Sequence, residues 1–97
     1  MEKLIIPEQD IINAVCLYYA DRKRISPEEV EVELMFDDEA YGFSAEIFFG
    51  GRNQILSHRD LIEVIRFWLE HQLNRNPYAG IELVLDDEEG IIARVQQ

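Results

Sequence analysis

Ninety-seven residues with 47% hydrophobic side chains support one globular domain with a single core; two halves of under fifty residues each would be too small to fold separately. Nine basic against twenty acidic side chains give a formal charge of −11, a field that repels nucleic-acid phosphates and anionic membrane surfaces, so no direct nucleic-acid or membrane contact is expected. A single cysteine, Cys16, excludes an internal disulfide and a cysteine-built zinc site within one chain, and points to a reducing, cytoplasmic setting.

The chain opens with MEKLIIPEQD, whose three consecutive apolar residues before Pro7 are too few for a signal-peptide core or a membrane span. Leu4 to Ile6 reads as a brief extended segment, as does its counterpart Gln54 to Leu56 before the second helix. Pro7, at a first helical turn, then leads into a helix expected over Glu8 to Arg24. At 3.6 residues per turn, Ile11, Ile12, Ala14, Val15, Tyr18 and Tyr19 form its core stripe, and Leu17 projects away from it. Arg22 to Arg24 sit where cations complement the carbonyl end of the helix dipole.

Ser26, Pro27 and Glu29 carry the pattern of a capped turn, with Glu29 able to reach back to the serine amide. The period then changes to two. Val30, Val32, Leu34 and Phe36 alternate with Glu31, Glu33 and Met35, and after an acidic turn Phe43, Ala45, Ile47 and Phe49 alternate with Ser44, Glu46 and Phe48. A hairpin is expected, followed by Gly50, Gly51 and Arg52 as a junction.

The second half repeats the first. DIINAVCLYY from Asp10 returns as DLIEVIRFWL from Asp60, with nine of ten positions keeping their polar or apolar class. Ser57 is a natural N-cap with Asp60 three places later, for a helix expected over His58 to Asn74 with Leu61, Ile62, Val64, Ile65, Trp68 and Leu69 toward the core and Phe67 off the stripe. Asn76 and Pro77 begin a turn like that at Ser26. Ile81, Leu83 and Leu85, then Ile91, Ala93 and Val95, alternate as a second hairpin. The expected fold is α+β and two-layered: a single domain over 1–97 built from two α-β-β halves, about 3–49 and 53–96, with two helices on one face of a mostly antiparallel sheet of four or more strands.

No catalytic signature emerges. The acidic turns Asp37-Asp38-Glu39 and Asp86-Asp87-Glu88-Glu89 offer oxygen ligands for a hard cation, with Tyr41 or Tyr78 as possible companions in an enzyme-like site, yet neither has the ligand order of a known calcium loop. Adjacent carboxylates at hairpin tips are ordinarily solvated turn residues. His58 and His71 do not share a helical turn, Cys16 lies mid-helix without an activating base, and Gly50-Gly51-Arg52-Asn53 lacks the pattern of a phosphate loop. No cofactor is implied.

What stands out is apolar surface: Leu17 and Phe67 on the helices, and Met35, Phe48, Val84 and Ile92 on the sheet face away from them. These six are the expected interaction surface of a non-catalytic binding module, self-associating as a homodimer or holding a protein partner. Glu31, Glu33, Glu46 and Glu82 on the same face, with Arg94, also permit an acidic mimic of nucleic acid that occupies a basic partner.

The stretch IIPEQDIINAVCLYYADRKRISPEEVEVELMFDDE, followed by YGFSAE, resembles the YxcD-like family of short uncharacterised proteins from Bacillus-type bacteria over nearly the whole chain. The resemblance implies a bacterial cytoplasmic protein and brings no reaction, cofactor or site residue.

Overall fold

A computed structural model of the chain describes residues 3–37, 39, 42–74 and 78–96. In order, the elements are β1 (Lys3–Ile6), α1 (Glu8–Lys23), a single 3-10 turn (Pro27–Glu29), β2 (Glu31–Asp37), β3 (Gly42–Phe49), β4 (Arg52–Leu56), α2 (His58–His71), β5 (Gly80–Asp86) and β6 (Gly90–Gln96). The α+β class, the two α-β-β halves and the strand preceding each helix are all as expected from the sequence. The strands, however, form two antiparallel three-stranded sheets, β2-β3-β4 and β1-β6-β5, in place of one larger sheet. The division follows from an exchange: β4, which leads into α2, pairs with β3 of the first half, while β1, which leads into α1, pairs with β6 of the second.

Gly50 and Gly51 bring about the first of these pairings. Both have positive φ, 54° and 74°, and Phe49 lies opposite Arg52 in the ladder. That is a two-residue hairpin turn of the kind whose twist matches its strands. The glycine pair expected to separate the halves therefore joins β3 to β4.

The helices begin and end for local reasons. Ser57 Oγ accepts the Asp60 amide at 3.2 Å while Asp60 Oδ2 accepts the Ser57 amide at 2.9 Å, a reciprocal cap that satisfies two donors at the start of α2. The expected partner of the Ser26 amide is found, Glu29 Oε2 at 2.9 Å. α1 stops at Lys23 because Arg24 takes a left-handed conformation and the Ile25 amide turns back to the Ala20 carbonyl at 3.0 Å. α2 stops at His71, three residues short of the expected end, where the Leu73 amide reaches back to the Trp68 carbonyl at 3.3 Å and Asn74 has φ 53°. Asn76 and Pro77 lie outside the described residues.

The two helices pack on each other, α1 also against β2 and β6, and α2 against β3 and β4. Ile11, Ala14, Val15 and Tyr19 are buried on α1, and Leu61, Val64, Ile65 and Leu69 at the same repeat positions on α2. Ile12, Tyr18, Ile62 and Trp68, expected in the stripes, flank them at intermediate exposure. Each sheet meets the helices with the same row of side chains. In the first sheet Ala45 stands between Leu34 and Leu56; in the second Ala93 stands between Leu83 and Ile6. Both alanines are fully buried on central strands, where a one-carbon side chain lets α2 approach β3 and α1 approach β6.

Enlarging either alanine forces side chains or the overlying helix to move. Ala45→Leu and Ala93→Leu are each expected to destabilise the protein by about 1–3 kcal/mol in urea unfolding. Equal losses at the two positions would reflect the repeat.

Candidate functional site

The surface side chains singled out in the sequence fall on three separate surfaces. Leu17 and Phe67 come together: from equivalent positions on α1 and α2 they line one cleft of about 440 Å3 with Ala20, Pro27 and His71. Neither is fully exposed, and Phe67 is braced by Tyr18 at 5.2 Å and His71 at 4.5 Å between ring centroids. Met35 and Phe48 lie on the outer face of the first sheet and Val84 on that of the second, as strand alternation requires.

Ile92 shares that outer parity and yet is only 5% exposed, so it leaves the candidate surface. It sits on the central strand with Val84 across from it on one side. On the other side the register runs on from the Ile6 and Ala93 pair to Pro7, and the Ile91 amide donates to Glu8 Oε2 at 2.7 Å, holding the start of α1 against β6.

Two side chains that the sequence reading passed over replace it. Ile55 on β4 and Ile5 on β1 are 58% and 49% exposed, at equivalent positions of the repeat, and Phe48 is 37% exposed. The signal that could have found them is the alternation of the pre-helix segments, where Ile6 and Leu56 are buried and the residue before each must therefore face outward.

The acidic residues of the outer face follow the same geometry. Glu31, Glu33 and Glu46 share the outer face of the first sheet, where Glu46 Oε2 accepts from the Asn53 side-chain amide at 2.7 Å. On the second sheet Glu82 stands directly across from Arg94.

Two of the hairpin carboxylates, Asp37 and Asp86, turn toward their own backbone. Asp86 Oδ1 accepts the amides of Glu88 and Glu89, both at 2.9 Å, and Asp37 Oδ1 accepts that of Glu39 at 3.0 Å. Hydrogen bonds from Glu89 and then Glu88, with the positive Arg94 nearby, hold the Asp86 carboxyl below the usual carboxylate range. Asp38 and Tyr41 lie outside the described residues, and among the described residues no three His, Cys, Asp or Glu side chains gather to hold a metal ion. Tyr78 lies elsewhere, lining a hollow with Tyr18, Arg66, Glu63 and Glu70.

The remaining reactive groups are each engaged singly. The Cys16 thiol donates to the Val30 carbonyl at 3.4 Å, and burial pushes its pKa up, which keeps it a protonated thiol at neutral pH. The Tyr19 phenol is raised first by burial and then by Asp60. His58 stands 6.1 Å from the Phe43 ring, on a different surface from His71. Among the described residues no helix is long and apolar enough to cross a membrane.

The molecule is thus a small duplicated α+β domain whose most distinctive surface is a pair of outward sheet faces carrying apolar and acidic side chains. The chain belongs to the family described as Protein of unknown function (DUF2653), whose model matches residues 1–88. It is 36% identical over 94 residues to the uncharacterized protein YxcD of Bacillus subtilis (strain 168), an alignment covering 96% of this chain and 92% of that protein. No solved structure matches the chain.

Because Asp86 ionises more readily folded than unfolded, its stabilising effect is present above the ordinary carboxylate range and is lost as pH falls through the lowered value. In Asp86→Ala the stability difference from the natural protein should be largest near neutral pH and shrink in acid, as followed by urea unfolding across pH. Gly90 closes the same hairpin with φ 79°, and a Cβ there would meet the Glu8 carboxylate. Gly90→Ala should therefore cost about 1–2 kcal/mol in the same measurement.

Proposed function

We propose that this protein is a non-catalytic interaction module of the bacterial cytoplasm that self-associates through its outer sheet faces. The observation that carries the reading is the set of large apolar side chains, Ile55, Ile5 and Phe48, standing in water on those faces at 58%, 49% and 37% exposure. Apolar side chains grouped on a face with a polar surround favour association, because their burial against a partner removes them from water. In the acidic turns the Asp37 and Asp86 carboxylates are turned to backbone amides, a geometry that stabilises hairpins. A single cysteine, which leaves no partner for an internal disulfide, fits a reducing compartment.

Light scattering on the eluting protein, over a range of loading concentrations, should give the mass of a dimer for the natural chain. Phe48→Lys and Ile55→Lys should each elute as monomers while keeping the far-ultraviolet circular dichroism and cooperative unfolding of a folded chain, since both positions are exposed. A natural chain that stays monomeric at every concentration would overturn the reading.

A further inference from the structure

The two outer faces are built on the same register, so they can be compared row by row. Beneath the row Leu34, Ala45, Leu56 in the first sheet and its counterpart Leu83, Ala93, Ile6 in the second, the next outward row is Glu33, Glu46, Ile55 against Glu82, Arg94, Ile5. The isoleucine is retained and the central charge is reversed, Glu46 in one sheet and Arg94 in the other. One row further out, Glu31, Phe48, Asn53 is matched by Gly80, Gln96, Lys3. Here the first sheet carries an aromatic knob and an acid, while the second carries a glycine and a lysine. At Gly80 an added Cβ would have no atom within 4 Å, and a hollow of about 260 Å3 opens there among Gly80, Glu82, Arg94 and Gln96.

The two faces thus differ in complementary senses: Glu46 stands where the other sheet has Arg94, and the row that carries the bulk of Phe48 in the first sheet opens a hollow at Gly80 in the second. Resting on the self-association proposed above, we infer that the partner is a second copy of this chain, docked about a twofold axis with the β2-β3-β4 face of each copy on the β1-β6-β5 face of the other. In that arrangement Phe48 enters the hollow at Gly80 of the second copy, and Glu33 and Glu46 meet Arg94 and Lys3. The twofold makes the contact twice, as a closed dimer requires. Pairing like sheets would set Glu31, Glu33 and Glu46 against themselves in a chain of net charge −11, and like charges across an interface are strongly unfavourable.

Dissociation constants from sedimentation of Arg94→Glu, Glu46→Arg and the chain carrying both changes test the arrangement. Each single reversal should weaken the dimer by at least about tenfold, and the combination should recover to within about threefold of the natural chain. Single reversals without effect, or a combination no tighter than either single change, would overturn the crossed arrangement even if the natural chain is a dimer. A natural chain found monomeric throughout would overturn the self-association itself.

Disulfide trapping provides a second measurement that depends less on tolerance of charge. In a Cys16→Ser background, Phe48→Cys and Gly80→Cys chains mixed in equal amounts should oxidise chiefly to the mixed dimer. Preferential formation of dimers between two Phe48→Cys chains would instead mean that like faces meet.

Discussion

The exchange of pre-helix strands is the constraint on which the rest of this structure depends. A hairpin alone is two strands, and a two-stranded sheet is marginal in water. β4 gives the first hairpin its third strand and β1 gives the second hairpin its own, and in each case the donor continues directly into a helix. α1, which follows the donated β1, thereby packs against β2 of the first sheet and β6 of the second, while α2 packs against β3 and β4 of the first. Neither half completes its sheet alone, so each of the two similar units depends on a strand from the other.

The same exchange places the two fully buried alanines. Each central strand is flanked on both sides by a branched side chain of the same row, so the helix above needs a shallow place to settle, and Ala45 and Ala93 provide it. The row that holds each buried alanine is alike in the two halves because both serve the same helix-on-sheet packing. Outward positions have been free to differ, and Glu46 against Arg94 and Phe48 against Gln96 are where they do.

Much of this was legible in the residues. The helix stripes, both hairpins, the Ser57 cap and the Glu29 turn all follow from local periodicity and local hydrogen bonding, which a linear sequence records directly. Strand pairing is different, because the partners of Leu4 to Ile6 lie at the other end of the chain and nothing local announces them. Gly50-Gly51 was open to misreading for the same reason: a tight turn and a boundary between repeats have the same composition, and only the Phe49 and Arg52 pairing distinguishes them. Ile5 and Ile55 were hidden by brevity, since an alternation of four or five residues gives few positions from which to judge a face. Ile92 fails as a surface residue because parity gives a direction and cannot register the Pro7–Glu8 segment held beside it.

The symmetry of the finished molecule conceals an asymmetry in how it can be assembled. β2, β3 and β4 are consecutive and joined by turns, so the first sheet closes only short loops. The second requires Lys3 to find Gln96, a loop spanning almost the whole chain. Closing a long loop costs more chain entropy than closing a short one, and non-local pairing slows folding. The first sheet and the β5–β6 hairpin close only short loops, so chain entropy expects the joining of β1 to β6 to come last, an order that the symmetry of the native state hides.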